Sequence, residues 1–436
     1  MSSGSALTSS SWRERRTERG LFAAVFLTVL AAHLMIWLVR FGNAPVVDIR
    51  DAFPLAAFLA AMVLTHLAFT ASGFRGDTRL APAAFFLVGL GLVMRFRMGV
   101  TEFGSAALGH PSALAFPIGV AAFLLVTLSF RKGRYRRLEA AALPALALSA
   151  AVFLVILALG ERFRGGVYMR GNFNPSEITK VLLPLFLAGF LASRREAWSR
   201  ASWGLPRPPL RSLLAFVALW SVPVALVLLQ HDLGLLLLNG LLIGMLFFAT
   251  GRVAYPLAGL LIAAAAGGWL FQHVPHVTQR FLAWHHPFED PTGRSWQTLQ
   301  ALSALYNGGW WGTGLGAGSP HAIPIAASDF IYASLGEELG FVGAGLVLAF
   351  FLVVLERGLA AAWSARTPFG FLLGAGLCTA LTLQILLNVG GVVKAIPLTG
   401  ITLPFLSQGG SSLIASFVTL GLLLAISEDA ADAGGS

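Results

Sequence analysis

The sequence predicts an all-α polytopic integral membrane protein with about twelve transmembrane helices, and three observations lead to this class. Hydrophobic residues make up 56% of the 436-residue chain and charged residues only 11%, with a mean hydropathy of +0.76. A soluble domain carries about 25% charged residues. Apolar runs of roughly 20 residues, long enough to cross a bilayer, recur along the whole chain. Basic residues concentrate in alternate segments between these runs, as the positive-inside rule requires of a multi-pass protein.

The apolar runs define the elements in order. A polar, basic tail occupies 1–19, and no small-residue cleavage site follows the first run, so we expect an uncleaved helix and not a signal peptide. The first two runs form an extra N-terminal pair within 20–79. Only Gln230, His231 and Asp232 separate the apolar runs 210–230 and 232–250. This triplet predicts either a tight turn or a polar site at membrane depth. The twelve predicted spans are 20–39, 53–72, 80–99, 112–130, 139–160, 177–193, 210–230, 232–250, 253–273, 329–356, 368–393 and 404–427.

The distribution of basic residues sets the expected orientation. With the N-terminus inside, the dense clusters at 131–137 and 194–211 both fall on the inner side. Topology therefore accounts for the net charge of +10, and we expect no nucleic-acid partner. Both termini are predicted to be cytoplasmic, with 429–436 a disordered acidic tail. The single cysteine, Cys378, excludes a disulfide framework.

Three ionisable residues fall where the membrane makes them costly, which marks them as functional candidates. Glu177 and Lys180 are three residues apart and share one face of a helix. Asp232 requires a cation at this depth, and Lys180 is the nearest candidate in the predicted topology. We therefore predict a Lys180–Asp232 ion pair inside the bundle. The alternative is that both side chains extend to the membrane interface.

Glycines and prolines interrupt the apolar pattern over 390–412. Non-helical backbone at this depth is tolerated only where it is buried in protein or lines a cavity. Lys394 lies within this segment, so we interpret the segment as a cationic cavity wall that faces outward. A loop with one solvated lysine is the alternative.

The long polar segment 274–328 is the most informative part of the chain, and the predicted topology places it outside the membrane. It combines acids, arginines, histidines and tryptophans in a protein that is otherwise apolar. Within it, Asp290 stands between Glu289 and Pro291 in a turn pattern that would hold the carboxylate in a fixed position. An ordinary turn aspartate is the alternative interpretation.

Two other site types fit this segment less well. Four histidines, at 273, 276, 285 and 286, have a spacing that permits a metal site, but no matched carboxylate or thiol set accompanies them, and we predict no metal site there. The glycines between 308 and 318 follow no predicted strand and precede no Lys-Ser or Lys-Thr, which excludes a nucleotide-binding P-loop.

Six motifs, in this order, resemble those of the SEDS family, which comprises the RodA, FtsW and SpoVE group. They are PSEITK, QHDLG, FEDPTGRSWQ, NGGWWGTGLGAG, SDFIYASLGEELGFVG and PLTGITLPFLSQGGSS. The resemblance covers ten spans, which gives a predicted core over 80–428. The chain departs from the family pattern at PTGRSWQ, His231, Ser328 and Gln408, and none of these changes removes a charged group. The Thr-Gly pair after Pro397 favours the RodA-like branch.

The resemblance implies a peptidoglycan glycosyltransferase of the bacterial cytoplasmic (inner) membrane. Such an enzyme polymerises lipid II into β-1,4 glycan strands on the outer face, for cell elongation or division, together with a class B penicillin-binding protein. The essential carboxylate of the family matches Asp290, and its intramembrane lysine and aspartate match Lys180 and Asp232. A lipid II flippase and a non-catalytic scaffold for a transpeptidase remain the alternatives.

The implied chemistry is one inverting displacement on a lipid-linked α-pyrophosphate donor. Asp290 is the expected general base for the attacking hydroxyl. Arg280, Arg294 and Lys394 are candidates for stabilising the departing pyrophosphate, and a divalent cation such as Mg²⁺ or Mn²⁺ is left open. The remaining predicted substrate-binding residues are Glu289, Trp296, Gln297, Ser411 and Ser412.

Overall fold

A computed structural model describes residues 15–43, 52–99, 114–163, 166–169, 174–199, 201–202, 205–206 and 208–434. Most of the predicted basic tail, 1–14, therefore lies outside the described residues. Sixteen α-helices can be numbered in this part of the chain, joined by short 3₁₀ turns. Strands form only two short antiparallel pairs here, β1 (Glu161–Phe163) with β2 (Gly166–Tyr168) and β3 (Ala201–Ser202) with β4 (Leu205–Pro206).

The helices follow the predicted apolar runs closely. They are α1 (Arg16–Asn43), α2 (Phe53–Ser72), α3 (Leu80–Arg97), α4 (Ala115–Phe130), α5 (Ala142–Leu159), α6 (Thr179–Ala192), α7 (Arg195–Ser199), α8 (Leu210–Gln230), α9 (Leu233–Leu241), α10 (Met245–Thr250), α11 (Ala254–His273), α12 (Pro275–His285), α13 (Trp296–Gly308), α14 (Ile331–Trp363), α15 (Pro368–Val392) and α16 (Gly410–Gly434).

Within the described residues, 10 helices are long and apolar enough to cross a membrane, and two shorter apolar helices accompany them. The shorter ones, Ala115–Phe130 and Gly234–Thr250, fall on two of the predicted spans. The predicted fold class, an all-α polytopic membrane protein, is thus confirmed. The uncertain boundary at 230–232 is a tight turn, in which His231 adopts a left-handed conformation with φ 60°.

Burial separates central helices from peripheral ones. In the last span, 89% of the apolar window is buried inside the protein, against 12% in the span Ala254–His273. Helix α16 packs against α4, and α15 packs against α6. Helices α3, α6, α15 and α16 are therefore central, whereas α8 and α11 present large apolar surfaces outward.

The structure describes the predicted acidic tail as far as Gly434. Helix α16 continues to Gly434, and Glu428 and Asp429 are buried. The guanidinium of Arg131 contacts the Glu428 carboxylate at 3.0 Å, and Arg136 contacts Asp429 at 2.7 Å. The start of the acidic tail is ordered because these basic residues pair with it, which charge composition alone did not indicate.

The long polar segment also contains more structure than expected. Helices α12 and α13 both fall inside 274–328, separated by a turn around Asp290. Between α13 and α14 runs a glycine-rich loop, here defined as residues 309–319. The segment is thus a folded layer over one end of the bundle.

Helix α14 is interrupted at Gly340, which has φ 69° and ψ −174°. A break of this kind removes the intrahelical partners of backbone groups on either side of it. The glycine-rich loop replaces them, since its N–H groups bind the carbonyls before the break and its carbonyls bind the N–H groups after it. The four N–O distances are Thr313 N to Glu337 O 2.9 Å, Gly314 N to Glu338 O 3.0 Å, Phe341 N to Gly309 O 2.9 Å and Val342 N to Trp310 O 3.2 Å.

Candidate active site

A polar cavity of about 780 Å³ opens at the end of the bundle that carries the folded layer. Its walls come from segments that are far apart in the sequence, which the alternation of antiparallel spans brings to one end. The charged residues that line it are Glu161, Glu177, Lys180, Asp232, Arg280, Arg294 and Asp329. Such a mixture of charges inside an apolar bundle is typical of a functional site.

The segment before α6 builds one wall. The side chain of Asn174 accepts a hydrogen bond from the Ser176 N–H at 3.3 Å, and this starts the 3₁₀ turn Pro175–Ile178. The Asn174 N–H in turn donates to the hydroxyl of Ser411 at 2.8 Å. The first turn before α6 is thereby fixed to the start of α16, and Ser411 lines the cavity.

The predicted ion pair between Lys180 and Asp232 is not formed. Lys180 instead contacts Glu177 with an N–O distance of 2.7 Å, and both side chains are largely buried. Glu177 precedes Lys180 by three residues on the same helical face, so its carboxylate reaches the ammonium group without any change in the backbone. Lys180 and Asp232 still line the same cavity.

Asp232 has a second role that explains this arrangement. Its carboxylate caps α9 by accepting the Leu235 N–H at 2.9 Å. The Asp232 carboxylate is therefore held by the helix terminus and not by Lys180.

Replacement of Asp232 by Asn should leave stability nearly unchanged, whereas Asp232→Ala should lower the free energy of unfolding by about 1 kcal/mol. Asn retains a side-chain oxygen for the Leu235 N–H, and Ala does not. Thermal unfolding midpoints of the two purified variants measure the difference. Equal midpoints would show that the cap contributes nothing at this position.

Arg280, on α12, binds the backbone of the segment 390–412. Its guanidinium donates to the carbonyls of Thr399 at 2.9 Å and Leu398 at 3.3 Å. The same side chain lines the cavity. Arg280 therefore fixes a non-helical segment in the wall and places positive charge beside the cavity, and this is compatible with its predicted role as an anion-stabilising residue.

Asp290 lies in the turn between α12 and α13, next to the cavity. Its two carboxylate oxygens accept the N–H groups of Gly293 at 3.0 Å and Arg294 at 2.9 Å. The neighbouring Glu289 is exposed and contacts the Arg294 guanidinium at 2.9 Å. Arg294 and Gln297 line the cavity, whereas Asp290 and Glu289 are not among its lining residues, so Asp290 is joined to the cavity wall through Arg294. Each carboxylate oxygen keeps a second lone pair for another donor.

The other predicted residues divide into two groups. Ser412 lines the cavity and contacts Thr402 through their hydroxyl groups at 2.8 Å. Trp296 is partly exposed at the start of α13. The side chain of Lys394 is not part of the cavity lining, which corrects its predicted place in the wall. Lys394 occupies a turn with φ 62°, and its carbonyl accepts the indole N–H of Trp284 at 3.0 Å.

A metal-binding role for the histidines finds no geometric counterpart in the part of the chain that the structure describes, where no group of three metal-ligating side chains comes together. His285 and His286 contact each other at 2.9 Å on the exposed surface. His286 also approaches Glu289 at 3.7 Å.

Sequence reasoning missed two further features. Asp329 lines the cavity. The side-chain amide of Asn388 donates hydrogen bonds to the backbone carbonyl of Asp329 at 2.9 Å and to that of Ile401 at 2.7 Å. The position of Asp329 in the motif SDFIY, directly before a helix, was the available signal. Arg97, at the end of α3, contacts the buried Glu338 at 3.2 Å, and nothing in the local sequence pattern pairs them.

The fold and the site define a multi-pass membrane protein with a charged cavity covered by a folded polar layer. The family model for the FtsW, RodA and SpoVE group, described as "Cell cycle protein", matches residues 78–432. The chain therefore belongs to this family.

Named relatives and solved structures agree with this assignment. The chain is 37% identical over 390 residues to the peptidoglycan glycosyltransferase RodA of Mycobacterium tuberculosis, covering 86% of this chain and 82% of that protein. It is 38% identical over 259 residues to a probable peptidoglycan glycosyltransferase FtsW of Geobacter sulfurreducens, and the match covers 59% of this chain and 67% of that protein. A chain from a study of polymerization and crosslinking by a peptidoglycan synthase complex has a TM-score of 0.63 at 26% identity, and the match covers 81% of this chain and 98% of that one. The rod shape determining protein RodA of Thermus thermophilus has a TM-score of 0.57 at 26% identity, and the match covers 81% of this chain and 97% of that one.

Proposed function

We propose that this protein is a peptidoglycan glycosyltransferase that polymerises lipid II into β-1,4 glycan strands. The observation that carries the proposal is a cavity lined by Arg280 and Arg294, with the Asp290 carboxylate bound to the Arg294 N–H. Glycosyl transfer from a pyrophosphate donor requires a base and cations that stabilise the leaving group. The catalytic unit comprises residues 80–428, with 20–79 as an accessory helix pair.

The proposed step is one displacement at the anomeric carbon of the donor. The 4-hydroxyl oxygen of the acceptor sugar forms the new bond to that carbon, and the bond to the pyrophosphate oxygen breaks. Asp290 accepts the hydroxyl proton. The pyrophosphate leaves with the electron pair, and Arg280 and Arg294 stabilise its charge. Because the leaving group is already a stable anion, the reaction needs no second carboxylic acid, unlike hydrolysis of a glycoside.

The proposed orientation places the cavity on the outer face of the cytoplasmic membrane, with both termini cytoplasmic. The basic cluster 131–137 lies at the opposite end of the bundle, which supports this orientation. We also propose a class B penicillin-binding protein as partner, since the similar chain mentioned above comes from a complex that couples polymerization with crosslinking.

A lipid II flippase is the main competing function, and one observation disfavours it. The cavity is lined by segments from one end of the bundle, whereas the ion pairs Arg131–Glu428 and Arg136–Asp429 lie at the other end. Transport between leaflets needs a polar route through both ends.

Incubation of the purified protein with labelled lipid II, with and without its transpeptidase, tests the proposal. We expect a ladder of glycan polymer from the enzyme. Movement of lipid II across a liposome membrane without any polymer would instead establish the flippase, and the absence of both activities in the presence of the partner would leave a scaffold.

A further inference from the structure

Arg97 lies outside the cavity but holds the glycine-rich loop from the far side. Its Nε contacts Glu338 Oε1 at 3.2 Å. One terminal nitrogen, Nη2, donates to the carbonyls of Gly316 at 2.8 Å and Gly318 at 2.9 Å. A planar guanidinium can satisfy these three acceptors at once, and a lysine ammonium cannot reproduce that fixed geometry.

The same carboxylate binds the loop directly. The second oxygen of Glu338 accepts the Gly316 N–H at 3.0 Å, and the Glu338 side chain is 0% exposed. The neighbouring Glu337 accepts the Ser319 N–H at 3.1 Å. The two acids therefore hold the second half of the loop, while the backbone bonds around Gly340 hold the first half. Arg97 neutralises the buried Glu338 carboxylate, which is costly to leave without a cation.

The loop is rigidly connected to the Asp290 turn through α13. At the end of α13, Gly308 packs so closely on α14 that a Cβ there would lie 2.0 Å from the Gly336 carbonyl oxygen. At its beginning, the Ser295 N–H donates to the Asp290 carbonyl at 3.2 Å. The end of α13 and the loop therefore rest on the same stretch of α14, so a shift of the loop on α14 would reach the Asp290 turn through α13.

We propose that Arg97 is a positioning residue for glycosyl transfer, which clamps the glycine-rich loop on α14 and so holds the Asp290 turn at the cavity. The inference rests on the proposed function. Arg97 contacts neither the cavity nor the turn, so its effect on the reaction passes through Glu338, the loop and α13. Misplacement of a catalytic group by about 1 Å lowers a rate by about a hundredfold, so a clamp of this kind has a measurable effect on turnover.

The test compares Arg97→Gln and Arg97→Lys in full-length protein, in lipid nanodiscs together with the transpeptidase. Arg357→Gln is the matched control, because it also removes an arginine–carboxylate contact, with Asp77, at the opposite end of the bundle. Three quantities are measured: kcat and KM for lipid II polymerisation, amide hydrogen exchange over 290–319, and the thermal unfolding midpoint.

For Arg97→Gln we expect kcat to fall by about tenfold or more with KM changed by less than about twofold, since substrate contacts remain. Amide exchange should rise at Gly316 and also at Gly293 and Arg294, which the clamp does not touch. Arg97→Lys should fall between wild type and Arg97→Gln. The control should leave the exchange of this region and kcat unchanged.

Two results would overturn the proposal. One is that the amides of Gly293 and Arg294 in Arg97→Gln exchange at the wild-type rate. The other is that Arg357→Gln loses as much kcat as Arg97→Gln while the two variants have the same thermal midpoint. The exchange measurement does not require activity. If the wild-type protein makes no polymer, the proposed function fails, and the exchange at the Asp290 turn still decides whether Arg97 positions it.

Discussion

Replacing Asp290 by Asn should lower the rate of lipid II polymerisation by about a hundredfold or more while leaving the protein inserted and folded. Asn cannot accept the hydroxyl proton, and general-base catalysis of this kind contributes about 10²–10⁴-fold. The turn itself should persist, because the Asn side-chain oxygen can still accept one of the two N–H groups that Asp290 binds, from Gly293 and Arg294. Initial rates of glycan formation by the purified variant measure the effect.

Glu289→Gln is the comparison for this experiment, because Glu289 is predicted to bind substrate and not to act as the base. It neutralises the adjacent acid, which is exposed and pairs with Arg294 at the surface. An exposed ion pair contributes about 0–1 kcal/mol, so we expect the rate to stay within about fivefold of wild type. Polymerisation by Asp290→Asn at the wild-type rate would remove Asp290 from the mechanism, and an equal loss in both variants would indicate a role for the total charge of the turn.

The second large effect is expected at Gly340. Its backbone has φ 69°, and a Cβ there would lie 2.3 Å from the Gly312 nitrogen and 2.6 Å from the Trp310 carbonyl oxygen. Gly340→Ala would have to open the contact between the helix break and the glycine-rich loop. We expect it to lower the free energy of unfolding by about 3 kcal/mol or more, from backbone strain and overpacking together.

Gly345→Ala provides the comparison within the same helix. A Cβ at Gly345 has no neighbouring atom within 4 Å, and Gly in a helix interior is about 1 kcal/mol less favourable than Ala. This control should therefore be neutral or slightly stabilising. Thermal midpoints of the two purified variants decide the matter, and similar midpoints would mean that the loop adapts to a side chain at Gly340.

The sequence predicted the membrane architecture well because that architecture depends on properties that are local. Runs of apolar residues and the side on which basic clusters fall can be counted without knowledge of contacts. The same holds for the turn at Asp290, since Pro291 and Gly293 specify it within four residues. The structure has the apolar helices and the Asp290 turn at the positions that the pattern predicted.

Predictions of which side chains contact each other were less successful. Lys180 had two carboxylates within reach, and the sequence could not show that Asp232 is engaged as a helix cap while Glu177 is free to turn toward the ammonium group. Lys394 looked like a cavity residue because of its glycine-rich surroundings, but the chain turns there and presents a carbonyl to Trp284. The burial of Glu428 depends on Arg131, which is 297 residues away.

The broken helix has a consequence for the order in which the protein is made. The groups joined across the break at Gly340 all lie between 309 and 342, so their bonds require only a short stretch of newly synthesised chain. The polar half before the break, with Glu337 and Glu338, need not enter the bilayer, because Phe341–Trp363 alone is long enough to cross it. The opposite cavity wall, which extends to Ser412, exists only after one more span, α15, and the segment that follows it have been synthesised. The folded polar layer can therefore be assembled before the cavity that it covers is complete.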